Sequence, residues 1–147
     1  MKTRILIFSF LCMSLFACAQ TPPQQVSNAF NAKFRSAEKV SWDQEEANEW
    51  EAEFTLNGTE TSASFDLLGN WLETETEIRE KNLPITVKSV IGKKYPGYKI
   101  EESVVIESPD FSGYEIAMEK GEMNVEVSVT KYGELTVKKE STEEKSD

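Results

Sequence analysis

Glutamate is the residue in this chain best able to do chemistry, and it recurs at alternate positions. Glu49, Glu51 and Glu53 form one run, and Glu73, Glu75 and Glu77 form another. Glu115, Glu119 and Glu126 follow, interleaved with Ser128 and Thr130. A spacing of two puts each run on one side of an extended strand, because side chains alternate across a strand. Paired carboxylates can act as general acid and base, or hold Ca²⁺. Neither chemistry has a specific signature here. A calcium loop alternates Asp and Asn ligands around a glycine, and no segment has that spacing. A glycosidase pair needs a cleft and one carboxyl with a raised pKa, which spacing does not reveal. The simplest reading is a solvated sheet face whose charge keeps the protein soluble and its strand edges unpaired.

Composition excludes other chemistries. The 147 residues include no histidine, which removes Ser-His-Asp and Cys-His catalysis and the commonest metal ligand. The chain has no Gly-rich phosphate loop and no Cys/His cluster. Its 16 basic residues face 26 acidic ones, a formal charge of −10, so it does not bind nucleic acid through phosphates. No catalytic residue, metal ligand or cofactor is expected.

Aromatic residues add a recognition element. Trp42 and Trp50 fall in the apolar strand phase and belong to the core. Trp71 shares its phase with Glu73 and Glu75, which would expose it on the acidic face as an anchor. Its counterpart Leu135 shares phase with Val137, which argues for the core instead. The candidate binding face is therefore Glu51, Glu53, Trp71, Glu73, Glu75 and Glu115. Its partner would carry a basic surface.

The elements that hold these residues come in two copies. Pro23, Val26, Phe30 and Phe34 are spaced as are Pro84, Val87, Ile91 and Tyr95. Each set is the apolar stripe of an amphipathic helix. Thr21 and Asn82 can cap these helices, with Pro22, Pro23 and Pro84 in their first turns. Trp50, Ala52 and Phe54 alternate as Tyr114, Ile116 and Met118 do, and Ala63 and Phe65 match Val127 and Val129. Asn57-Gly58 signals a hairpin, and Gly121 holds the corresponding place.

The expected helices are 22–35 and 84–95. The expected strands are 38–43, 48–57, 60–68 and 71–78, then 99–107, 112–120, 122–131 and 134–139. This is an α+β tandem repeat. Each half is one helix followed by about four antiparallel strands, with both helices on one face of the sheet. The first repeat occupies 20–82 and the second 83–140. Each is marginal as an independent core, so the halves should share one continuous structure. The polar stretch 141–147 reads as a disordered tail.

The run Val26, Ala29-Phe30, Lys33-Phe34, Ala37, Val40 and Trp42 carries a family resemblance. So do Trp50-Glu51-Ala52-Glu53-Phe54, Ser64-Phe65-Asp66, Gly69 and Trp71. In these, and in Leu83-Pro84, Val87 and Tyr95-Pro96-Gly97-Tyr98, the chain resembles the PepSY-like, or β-lactamase-inhibitor-protein-like, proteins of Bacteroidetes. One departure is Arg35, where the pattern has proline, as Pro96 does in the second half. The resemblance implies a secreted or lipid-anchored protein with tandem helix-plus-sheet repeats. It does not imply inhibition of a β-lactamase.

The first 19 residues fit an export leader. Lys2 and Arg4 form a positive start, and 5–16 is apolar but shorter than the ~20 residues that span a bilayer. Ala17-Cys18-Ala19 fits cleavage before Gln20. Leu15-Phe16-Ala17-Cys18 resembles a lipobox, with cleavage before a lipid-bearing Cys18. Without Lys2 and Arg4, 14 basic residues remain against 26 acidic, a charge of −12. Both cysteines, Cys12 and Cys18, lie in this segment, which leaves the rest without disulfides and points to a bacterial periplasm or envelope.

Three functions are compatible with these features. The first is a non-catalytic exported module that binds or inhibits an envelope protein or peptide through its acidic face. The others are a structural envelope lipoprotein, and a cation-binding protein or carboxylate-dependent enzyme. Contact with the membrane would come only through a lipid anchor.

Overall fold

The computed structural model describes residues 20–142. The segment expected to be a leader, residues 1–19 with Cys18, and residues 143–147 of the expected tail lie outside the described residues.

The two helices, α1 (Gln24–Lys33) and α2 (Ile85–Lys94), are each 10 residues long. Their buried faces repeat four residues apart: Val26 and Phe30 in α1, Val87 and Ile91 in α2. Thr21 and Asn82 are not the caps. Those positions fall to Pro23 and Pro84, neither of which makes a side-chain capping bond. The proline ring presets φ, here −53° and −56°, and the proline carbonyls accept the first helical bonds from Ser27 and Lys88. Both helices also end alike. Phe34 and Tyr95 close them with φ −117°, ψ 63° and φ −124°, ψ 63°, each N–H donating to the carbonyl four residues back at 2.8 Å. Arg35 in place of proline does not change that geometry.

The strands are β1 (Ala37–Glu46), β2 (Glu49–Leu56), β3 (Thr59–Asp66) and β4 (Trp71–Glu77) in the first repeat. The second repeat has β5 (Lys99–Glu107), β6 (Ser112–Lys120), β7 (Met123–Thr130) and β8 (Leu135–Thr142). A short 3₁₀ turn, Glu80–Asn82, precedes α2. All eight strands form one antiparallel sheet in chain order. Strand β8 is longer than its pattern suggested. Ser141 and Thr142, assigned to a tail by composition, pair with Asn124 and Met123. Strand β1 is also longer and carries two register shifts, with Lys39 at φ 55°. Those irregularities roughen an edge that would otherwise be free to pair. In the β2–β3 turn Asn57 and Gly58 both have positive φ, 52° and 81°, as a two-residue hairpin of the favoured hand requires.

One sheet carries two separate cores. Under α1, Val26, Phe30 and Phe34 pack on Trp50, Ala52, Phe54, Ala63 and Phe65. Under α2, Val87 and Ile91 pack on Ile116, Met118, Val125, Val127 and Val129. The seam between them is thin. Strands β4 and β5 pair over only four residues, Thr74–Glu77 against Val104–Glu107. Two further bonds extend it: Ile78 N–H donates to Ser103 O at 3.0 Å, and the Ser103 hydroxyl donates to Ile78 O.

Candidate binding face

The face of the sheet turned away from the helices collects the carboxylates. Cross-strand partners share a face, so the register defines its rows. Asp43, Glu51, Ser64 and Glu73 form one row across β1 to β4. Ser41, Glu53, Ser62, Glu75 and Ile106 form the next, reaching β5. Glu77, Val104, Glu115 and Ser128 form a third, from β4 to β7. Five of the six expected residues therefore do share this face: Glu51, Glu53, Glu73, Glu75 and Glu115.

Trp71 does not. It lies opposite Phe65, while Glu73 lies opposite Ser64, so Leu72 is a bulged residue between them. The extra residue reverses the strand phase. Trp71 thus packs on the first core with Phe65, and its Nε1 donates to Thr74 Oγ1 at 2.9 Å. The Lys33 ammonium sits 3.7 Å from the centroid of its ring.

Neither α1 nor α2 covers the acidic face, yet parts of it are dry. Val104 and Ile106 are 9% and 5% exposed and belong to neither helix-covered core. Glu75, beside Ile106 in its row, is 7% exposed. Burial among these neighbours raises its pKa to about 8, and the carboxylates of Glu73, Glu115, Glu51 and Glu102 push the same way. Glu51 is pushed up to about 7, mainly by burial, with Glu45, Glu53 and Glu73 adding to it and a hydrogen bond from Ser62 opposing. Partial desolvation raises Glu53 as well, helped by Asp43, Glu45 and Glu60.

The second repeat handles its charge differently. Lys138 Nζ lies 2.8 Å from Glu115 Oε1, with both side chains largely buried. Burial works against the lysine's charge, but the Glu115 hydrogen bond and the Glu126 and Glu73 carboxylates outweigh it and hold the ammonium above its usual range. Lys138 sits at a register shift of its own, between Val137 opposite Val127 and Lys139 opposite Glu126. Alternation from Leu135 and Val137 puts Lys138 on the open face, and the shift turns Lys139 to that face as well, opposite Glu126. The paired lysines, Lys138-Lys139, were the available signal for a basic element on this face. Glu102 and Glu126 complete the set, and burial raises both.

Among the described residues, no group of three or more His, Cys, Asp or Glu is placed to hold a metal ion. The face combines desolvated carboxylates with an apolar floor, with hydroxyls between them.

The family described as "Putative beta-lactamase-inhibitor-like, PepSY-like" matches residues 48–137. Several solved structures share the fold. A BLIP-like protein of Bacteroides fragilis is 25% identical, with a TM-score of 0.75 over 87% of this chain and 92% of that one. A DUF2874 family protein of Bacteroides ovatus is 22% identical, with a TM-score of 0.74 over 84% and 89%. A protein of Bacteroides eggerthii described as a "putative periplasmic" protein is 19% identical, with a TM-score of 0.73 over 84% and 90%. No curated protein matches the chain.

Proposed function

The chain belongs to the PepSY-like family, and from that premise we propose that it is a non-catalytic, exported binding module. It takes a basic protein or peptide of the cell envelope on the open face of its sheet. One observation carries this reading. In the first repeat the charges weighing most on Glu51 and Glu75 are other carboxylates, whereas Glu115 in the second repeat has its own lysine. A basic side chain from outside would do for the first repeat what Lys138 does for the second. Pairing such a charge with a buried carboxylate is favourable where the geometry outweighs the desolvation of both.

The leader-like start supports export to the periplasm or envelope, as does the periplasmic description of the Bacteroides eggerthii relative. Mass spectrometry of the mature N-terminus separates the two cleavage sites. A lipid on Cys18 establishes an anchor, and a free Gln20 removes it.

The test of the binding reading uses a lysine octapeptide as the basic probe. Association with the full chain should weaken steeply with salt, since exposed charges are screened over about 8 Å at physiological ionic strength. At pH 8.5, above the raised pKa values of Glu51 and Glu75, replacing Glu51, Glu53 and Glu75 together with Gln should slow association and flatten that dependence. Unchanged association in the triple variant overturns the reading and favours a structural envelope lipoprotein.

A further inference from the structure

We propose that the cavity where β4 leaves the sheet is a receptor for an aliphatic cation, a primary ammonium group on an unbranched apolar stem. The proposal rests on the binding-module reading and names the ligand chemistry of its deepest site.

The cavity follows from the strand lengths. Strand β4 ends at Glu77, and the chain turns away through 78–80. Its neighbours β3 and β5 run on past that point, beginning at Thr59 and Lys99. A gap opens between them, with a volume of about 570 Å³. That is within the usual range for a small-ligand pocket, roughly 300–1,000 Å³.

The lining changes character from one face of the sheet to the other. Phe54 of the first core, with Ile78 and Ile100 at the margin of the second, supplies apolar wall on the helix side. Glu53, Ser62, Glu75 and Val104 line it from the open face. In all, seven glutamates stand against Lys39 and Arg79. An apolar stem beside an acidic terminus matches a cation carried on methylenes.

Glu75 supplies the second, independent observation. It lines the cavity, is more than nine-tenths buried, and has no hydrogen-bond or ion-pair partner within the described residues. A carboxylate buried to that degree is normally bonded, and the Glu75 oxygens, not being fully enclosed, stay reachable from the cavity. Ser62, directly opposite Glu75, can help. Its hydroxyl donates to Glu51 and keeps lone pairs free to accept from an ammonium, which has three hydrogens to give.

The shared chemistry has two sources, a lysine side chain of a partner or a free diamine. The experiment titrates 1,5-diaminopentane and the blocked peptide Ac-Ala-Lys-Ala-NH₂ into the full chain, followed by amide chemical shifts. Perturbations should cluster at 54–55, 77–80 and 100–104. Tighter binding of the diamine assigns a small amine, and tighter binding of the peptide assigns a side chain. Glu75→Gln should weaken the better probe at least tenfold. The pair Glu134→Gln with Glu140→Gln, exposed and away from both the cavity lining and the acidic face, should change it less than threefold.

A wild-type control needs no variant to fold. Pentylamine should bind and 1-pentanol should not. Equal binding of these two, unchanged binding to Glu75→Gln, or no shifts with millimolar diamine overturns the proposal. If the lysine octapeptide still associates in that last case, only the cavity is wrong. If it too fails, the binding-module reading falls with it.

Discussion

Beneath α1 the core is built of rings. Phe30 meets Trp42 and Phe54 edge-on at 5.1 and 5.0 Å, and Phe34 meets Phe54 at 4.8 Å. Beneath α2 the equivalent positions hold Val87, Ile91, Ile116, Met118 and Val127. The helices nevertheless start and stop with nearly the same dihedral angles, and the strands follow in the same order. Path is thus set by the spacing of apolar positions, and many side chains fill it equally well. On the opposite face the comparison turns from shape to charge. Glu51 and Glu115 hold equivalent places beside Trp50 and Tyr114, yet only Glu115 has a lysine at 2.8 Å. Opposite Ser62 stands Glu75, while opposite the equivalent Glu126 stands Lys139.

The largest effect should come from emptying a core. Phe30→Ala should cost about 3–5 kcal/mol and Ile91→Ala about 2–5 kcal/mol. Either loss should lower a single calorimetric transition, because the sheet is continuous. Two transitions, or a 20–82 fragment that melts cooperatively alone, would break the comparison by making the halves independent.

Removing the lysine comes next. Lys138→Met leaves Glu115 largely buried without its cation, at a cost on the order of 1–3 kcal/mol at pH 7 by urea denaturation. That variant should make the second repeat resemble the first.

Acidity separates the repeats with a definite sign. Glu51 and Glu75 have folded-state pKa values of about 7 and 8, raised from 4.5. The folded chain therefore keeps protons that the unfolded chain releases. Their contribution to stability is full below pH ~4.5 and is lost as pH rises through 7 and 8. Thermal melts should show the protein gaining stability from pH 8.5 down to pH 5. Glu75→Gln should add roughly 2 kcal/mol at pH 8.5 and flatten the profile. A profile that rises toward pH 8 would contradict the burial of that carboxyl.

The smallest test compares two turn glycines. At Gly69, φ 82°, an added Cβ would lie 2.8 Å from the Gln25 carbonyl oxygen. At Gly133, φ 89°, it would lie 3.2 Å from a methyl of Val90. Each alanine pays about 1–2 kcal/mol for a left-handed backbone. Gly69→Ala should cost more, since a carbonyl in α1 yields less readily than a side chain.

The helix stripes and the alternating strands were plain in the sequence because both repeats spell them. The rest depends on register. A bulge at Leu72 leaves no mark in composition, and it moves Trp71 from the acidic face to the core while leaving Glu73 and Glu75 where alternation put them. A second shift, at Lys138, turns Lys139 to the acidic face, where alternation from Val137 puts Lys138 alone. The burial of Glu75 was equally hidden. It arises from Ile106 and Val104, which come from the other repeat and take the solvent-facing positions of β5.

The order of the strands bears on how the chain folds. Each strand pairs with its neighbour in sequence, so most loops that must close are short and their entropy cost is small. Low contact order favours rapid assembly of each four-stranded meander. The exception is the 21-residue link 78–98 between β4 and β5, which closes over just four paired residues. That seam should be the last part of the sheet to zip and the first to open. Amide hydrogens of Thr76, Glu77 and Val105 should then exchange faster than those of Ala63 or Val127. The wall of the cavity would be the part of the molecule with the lowest barrier to opening, so a ligand could enter by a local fluctuation while both cores stay closed.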